Sequence, residues 1–213
     1  LATNRFGMRT YGLGVIGCGY WGPNLLRNFA RHPQCAVVAV CDTQRSRAER
    51  VAREYGITAV ADDVDALLAT PGIDLVVVAT PSFTHFELAR AALEAGKHVL
   101  VMKPLTTTTA HAEELVALAA RKGLLLAVDH TFVFTGAVRR MKQLIDAGTI
   151  GELYYFDSVR INLGLIQTDV NVVWDLAPHD VSIMDYLISQ EPTAVSAQAA
   201  SHGASPTENI AYL

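Results

Sequence analysis

The chain has 213 residues, 51% of them apolar and 18% charged, enough to build a packed core and too apolar for a disordered segment. Seventeen basic and twenty-one acidic side chains leave a net charge of −4 with no basic block, so no nucleic-acid partner is expected. No apolar run reaches the length of a membrane span, so no membrane association is expected either.

The N-terminus lacks the charged-then-apolar layout of a secretory signal. The seven residues ahead of Met8 read as an extension. From there apolar runs alternate with helical patterns, the mark of repeated strand–helix units and a parallel sheet. "YGLGVIG" reads as a first strand, "GPNLLRNFARHP" as a helix and "CAVVAVCD" as a second strand. "RSRAERVAREYG" is an amphipathic helix closed by Gly56. "ITAV" and "DDVDALLAT" give a short strand and helix, and "IDLVVVAT" a continuous strand of the kind buried on both faces. "THFELARAALEAGK", "HVLVMKP", "TTAHAEELVALAARKG" and "LLLAVDH" continue as helix, strand, helix and strand. Six strands in this order predict an N-terminal Rossmann, doubly wound parallel sheet rather than an eight-unit barrel.

The pattern changes after His130. "GAVRRMKQLIDAG" is a helix, and "GELYYFDSVRINLG" alternates as a long, half-exposed strand would. "PHDVSIMDYLIS" is a second helix, while "TAVSAQAA" and "ENIAYL" are strand-like. The expected division is 8–128 for the dinucleotide-binding domain and 129–213 for an incomplete α+β domain with an open, mainly antiparallel sheet. The final strand has no closing turn, so a chain cut short is expected. The three cysteines, Cys18, Cys35 and Cys41, have no metal-ligand spacing. They read as buried residues of a reducing, cytoplasmic protein without a bound metal.

Within "VIGCGYWG", Gly17, Gly19 and Gly22 stand in G-x-G-x-x-G order between a strand and a helix. The first glycine allows the tight turn, the second lets backbone approach a pyrophosphate, and the third lets helix and strand pack closely. The phosphates would meet the helix N-terminus, with Tyr20 and Trp21 flanking them. Asp42 ends the second strand twenty residues past Gly22, placed to accept ribose hydroxyls and repel a 2′-phosphate. NAD is therefore expected, with NADP possible because Arg45 and Arg47 follow closely. For these glycines a plain tight turn, and for Asp42 a helix cap, are the competing readings.

The segments "VIGCGYWGPNLLRNF", "VVVATPSFTHFELA", "ALEAGKHVLVMKPL", "DHTFVFTGAVRRMKQLIDAGTIGELYYFDSVRINLG" and "DVNVVWDLAPHD" together resemble the oxidoreductase family named after glucose–fructose oxidoreductase and inositol dehydrogenase. The last two are most similar to its branch that oxidises sugar nucleotides such as UDP-N-acetylglucosamine or its uronate. The resemblance implies a Rossmann domain followed by an α/β domain for substrate binding and subunit contacts, commonly as dimers or tetramers. It implies cofactor contacts at Thr80, Pro81 and His85. It matches Lys103-Pro104 to the family's Glu-Lys-Pro signature, where the lysine meets both the sugar hydroxyl and the nicotinamide ribose. This chain departs from the family with Met102 in place of that glutamate and Thr135-Gly136-Ala137 in place of Asn-Pro-Ala.

"WDLAPHD" places Asp175 and His179 four residues apart. A helix starting near Ala177 would put Pro178 in its first turn. In the family this pair joins the lysine as the catalytic group, with His179 as general base, Asp175 orienting it and Lys103 assisting. Asp180 reads as a helix-start acid without catalytic duty. Arg160 and Asn162, on one face of the alternating strand, and Asn171 are substrate-binding candidates, along with His179 itself. The expected activity is NAD-dependent oxidation of a ring hydroxyl of a sugar or sugar nucleotide. The alternatives are an NADPH-dependent keto-sugar reductase and a non-catalytic NAD-binding module.

Overall fold

The computed structural model describes residues 9–161, 170–203 and 206–213. The chain divides into two compact units, the first running to Val128 and the second from Asp129 to Leu213.

The first unit is a six-stranded sheet. Its strands are β1 (Tyr11–Ile16), β2 (Cys35–Cys41), β3 (Ala59–Val60), β4 (Leu75–Val78), β5 (His98–Met102) and β6 (Leu126–Asp129), in spatial order β3-β2-β1-β4-β5-β6. The parallel registers Val15↔Val40 and Val15↔Val77 flank the central strand on both sides. The helices are α1 (Gly22–Phe29), α2 (Arg45–Tyr55), α3 (Val64–Ala69), α4 (His85–Glu94) and α5 (Thr109–Lys122).

Strand residues alternate between two cores, which is why these strands read as unbroken apolar runs. Leu13, Val15, Val40 and Val77 pack with Leu26, Ala48 and Val51 of α1 and α2. Ile16, Val76, Val78, Val99 and Val101 pack with Leu67, Ala89, Leu93 and Leu115 of α3 to α5. Strand order reverses between β1 and β4, so the turns that leave these neighbours at their carboxyl ends diverge to opposite faces. Sheets of this kind bind ligands in that crevice.

The second unit contains α6 (Gly136–Asp146), α7 (Val172–Leu187) and a hairpin of β7 (Gln198–Ala200) and β8 (Ile210–Tyr212), paired antiparallel with Ala199↔Ala211. Its core is small: Val138, Ile183 and Leu187, with Phe132, Ile145, Phe156 and Ile188 packed against them. Two sequence expectations change here. The segment 151–161 is not a strand. Consecutive Tyr154 and Tyr155 are 85% and 81% exposed, so the alternation does not become alternate burial. And α7 begins at Val172 rather than near Ala177, because Asn171 caps it: the Asn171 side-chain oxygen accepts from the Trp174 amide at 3.1 Å. Pro178 consequently lies inside the helix.

Candidate functional site

In the first unit the turn after β1 is built by its glycines. Gly17 has φ of 98°, open to glycine and hostile to other residues. A Cβ there would also collide with the Ala79 carbonyl oxygen just beyond β4. At Gly22, the first residue of α1, a Cβ would strike the Gly17 carbonyl oxygen. Gly19 differs: an added Cβ meets nothing within 4 Å, and its backbone is outside the left-handed region. The protein itself gives Gly19 no reason to lack a side chain, whereas a closely approaching phosphate does. No side chain caps α1, so its first-turn amides are open to an anionic acceptor. The residues present therefore fit a dinucleotide pyrophosphate. Tyr20 and Trp21, packed edge to face with ring centroids 5.2 Å apart, stand exposed beside the loop.

Asp42 follows β2 and has a task that its position in the sequence does not reveal. One carboxylate oxygen accepts from the Cys18 amide of the glycine loop at 2.7 Å, the other from the Gln44 amide at 2.7 Å. The carboxylate braces the loop and keeps lone pairs able to accept further hydrogen bonds. The Gln44 bond is an ordinary Asx turn, legible in sequence; the Cys18 bond spans 24 residues and is not. Arg45 is held by Glu49 and Asp62. Beneath the loop, burial together with Asp42 and Cys41 pushes the Cys18 thiol up to about 12, which makes it an inert packing group.

Thr80 and Pro81 follow β4, where the Thr80 hydroxyl lies 2.7 Å from that of Thr84. His85 opens α4 and is 1% exposed. Its two ring nitrogens lie 2.7 Å from the Pro104 carbonyl oxygen and 2.8 Å from that of Thr80. Lys103 is the first residue past β5 and is half-buried. Met102, standing for the family's glutamate, is 8% exposed, an environment suited to its apolar side chain.

In the second unit Asp175 and His179 both lie inside α7, so their separation of four places them on one helix face. The His179 ring meets Phe132 edge to face at 4.7 Å, and the Arg160 guanidinium lies 4.5 Å over the same Phe132 ring. Arg160 also grips Asp180 with two bonds, Nε to Oδ2 at 2.7 Å and Nη2 to Oδ1 at 3.2 Å, and Ser158 donates to Oδ1 at 2.7 Å. Asp180 is thus a mid-helix anchor rather than a helix-start acid. Burial alone would raise its carboxyl. The hydrogen bonds from Arg160 and Ser158 and the nearby positive charge outweigh that and hold it below the usual carboxylate range. A concavity of about 420 Å³ borders Arg160, Asp180, Met141 and Ile183.

Asn171 spends its side-chain oxygen on the α7 cap and directs its nitrogen to Glu208 at 3.4 Å. Asn162 lies outside the described residues. A feature that sequence reasoning missed is a second concavity of about 290 Å³, bordered by His130, Phe134, Arg139, Ser182, Asp185 and Tyr186. Burial pushes the His130 imidazole down, and Asp129 offsets part of that. Among the described residues there is no cluster suited to a metal ion, and no helix is long and apolar enough to cross a membrane.

Comparison with known proteins places the chain in a class. Residues 11–130 match the family model "Oxidoreductase family, NAD-binding Rossmann fold", and residues 138–212 match the "GFO/IDH/MocA C-terminal domain". The chain belongs to the Gfo/Idh/MocA oxidoreductase family. It is 34% identical over 190 residues to scyllo-inositol 2-dehydrogenase (NAD(+)) of Bacillus subtilis, covering 87% of this chain and 54% of that protein. It is 36% identical over 191 residues to UDP-N-acetylglucosamine 3-dehydrogenase of Acidithiobacillus ferrooxidans, covering 89% and 57%. Over 148 residues, 69% of this chain and 44% of the relative, it is 39% identical to dTDP-3,4-didehydro-2,6-dideoxy-alpha-D-glucose 3-reductase of Saccharopolyspora spinosa. The chain spans about half the length of these relatives. GenD2 from gentamicin A biosynthesis, solved in complex with NAD, shares the fold at a TM-score of 0.86 and 24% identity, over 99% of this chain and 63% of that one.

Proposed function

We propose that the chain is the cofactor-binding and catalytic part of an NAD-dependent dehydrogenase that oxidises a ring hydroxyl of a sugar or sugar nucleotide, a UDP-N-acetylglucosamine or uronate derivative being the leading substrate. The observation that carries the reading is the register of Asp175 and His179 inside α7, in a chain whose first unit holds an open glycine loop braced by Asp42.

In this reading Gly17, Gly19 and Gly22 cradle the pyrophosphate, Tyr20 and Trp21 flank it, and Asp42 receives the ribose hydroxyls. Thr80 and Pro81 line the nicotinamide side. A bound nicotinamide supplies the hydride acceptor. His179 takes the hydroxyl proton as hydride leaves the ring carbon, because an imidazole accepts and returns protons near neutral pH. Asp175 orients the imidazole and steadies its charged form, and the Lys103 ammonium stabilises the developing alkoxide. In the reverse direction His179 returns the proton. Arg160 gives two of its donors to Asp180 and keeps the rest of its five for substrate oxygens. Asn162 is a further proposed substrate contact, and Asn171 supports the site by capping α7. The three free cysteines fit a reducing cytoplasm, and the two-stranded β7–β8 sheet, which has no further strand among the described residues, fits assembly into a dimer or tetramer.

A second reading, reduction of a keto-sugar with NADPH, is favoured by the similarity to the dTDP-sugar 3-reductase. The Asp42 carboxylate just past β2 speaks against it, since it would repel a 2′-phosphate, and Arg45 already gives two of its five donors to Glu49 and Asp62. Incubation with NAD and a panel of UDP-sugars and inositols, followed by NADH absorbance, tests the proposal. Oxidation of at least one member supports it. NADH binding without oxidation of any member overturns it in favour of a non-catalytic binding module.

A further inference from the structure

His85 is 1% exposed, yet neither nitrogen of its ring faces a group that can donate. Nδ1 lies 2.7 Å from the Pro104 carbonyl oxygen and Nε2 lies 2.8 Å from the Thr80 carbonyl oxygen. A backbone carbonyl only accepts, and a neutral imidazole carries one N–H and one lone pair. In either neutral tautomer one nitrogen lone pair would therefore be pressed against a carbonyl lone pair, away from water, with that nitrogen and that carbonyl both left unsatisfied. A ring carrying hydrogen on both nitrogens satisfies both carbonyls, and such bonds from a charged donor are the stronger kind.

The two carbonyls belong to the turns that leave adjacent strands. β4 pairs with β5 in the register Val78↔Val101. Thr80 is two residues past the end of β4, and Pro104 is two residues past the end of β5, directly after Lys103. The β4–β5 register ends at Val78↔Val101, and beyond it the His85 ring spans the two turns. The Thr80 hydroxyl, shared with Thr84, fixes the first turn from a second direction. On the elements that carry the ring and its two acceptors, the ionisable groups are Glu87 of α4, paired with Arg90, and Lys103 directly before Pro104; His111 of the neighbouring α5 stacks on Phe86 at 3.9 Å.

We infer that His85 is a positioning residue: a two-armed imidazolium donor that pins the Thr80–Pro81 turn to the Lys103–Pro104 turn and so fixes the backbone that carries Lys103. Its double protonation stands on the structure of the first unit alone. The consequence for the cofactor rests on the proposed function, which places both turns beside the nicotinamide.

Nitrogen-15 NMR of histidine-labelled protein without cofactor, at neutral pH, tests the protonation directly. The expected result is one histidine whose two ring nitrogens each show a directly bonded, slowly exchanging hydrogen, with that pair of signals lost in His85→Phe. A His85 ring with one nitrogen bare of hydrogen overturns the inference, whatever the cofactor results. NADH titration then tests the pinning. His85→Phe keeps a ring of similar size and loses both arms; His85→Gln keeps one donor. The expected order of affinity is wild type, then Gln, then Phe, with the Phe variant about tenfold weaker than wild type, as expected for a loss of about 1.4 kcal/mol. Equal affinity of the Phe variant and wild type overturns the pinning role. Failure of the wild type to bind NADH counts against the proposed function and leaves the NMR result to decide the state of His85.

Discussion

Replacing Gly19 by alanine separates a glycine kept for the protein from a glycine kept for a ligand. The added Cβ meets no atom within 4 Å, and the backbone is not left-handed. The unliganded fold should therefore accept it without loss; restriction of the unfolded chain favours it by about 0.4–1 kcal/mol. The same methyl group occupies the space through which a pyrophosphate would approach the loop amides. Loss of one hydrogen bond to a charged group costs about 1.5–3 kcal/mol, so NADH affinity should fall about tenfold or more. Thermal unfolding without cofactor and NADH fluorescence titration on the same sample read both quantities. An alanine variant that binds NADH as tightly as wild type refutes the reasoning. So does one that unfolds several degrees earlier without cofactor, since that would show the open space to be illusory. Gly22→Ala is the control with the opposite behaviour: its Cβ strikes the Gly17 carbonyl oxygen, so it should destabilise the unliganded protein.

Asp42→Ala removes the acceptor of two backbone amides as well as the proposed ribose contact. It should lower the stability of the cofactor-free first unit by about 2 kcal/mol and narrow the preference for NADH over NADPH, as measured by denaturant titration and paired cofactor titrations; unchanged cofactor-free stability would remove the bracing role. His179→Ala should abolish turnover and leave NADH affinity nearly unchanged, and an equal loss of both would remove its role as base. Asp180 is held below the usual carboxylate range, so its contribution to stability is complete above about pH 4 and is lost as pH falls through the depressed folded value. Arg160→Ala should cost about 2 kcal/mol, the side chains of this pair being only 25% and 21% exposed, and should weaken the acid dependence; acid unfolding followed by circular dichroism compares the two proteins.

The first unit was legible because burial on both faces leaves a one-dimensional trace. Val76, Val77 and Val78 pack alternately into two cores, so the strand reads as a continuous apolar run. The glycine loop was legible because its residue types are set by backbone geometry. The second unit was harder to read. The alternation in "YYFDSVRI" marks residues able to pair in a sheet, but pairing needs a neighbouring strand, and Tyr154 and Tyr155 are both left exposed. Pro178 pointed to a helix start, whereas the Asn171 cap, seven residues earlier, sets the true one. The bonds of Asp42 to Cys18 and of His85 to Pro104 join residues 24 and 19 positions apart. Nothing in local sequence pattern encodes such pairs, because the sheet order brings them together.

The central claim, hydride transfer from a ring carbon, is tested most directly with a substrate bearing deuterium on the carbon to be oxidised. Incubation with NAD, using UDP-N-acetylglucosamine labelled at the 3-position first, should yield NADH carrying that deuterium, at a rate slowed by the label when transfer limits turnover. NADH that contains no deuterium, or labelled substrate returned unchanged while wild-type protein binds cofactor, would contradict the account.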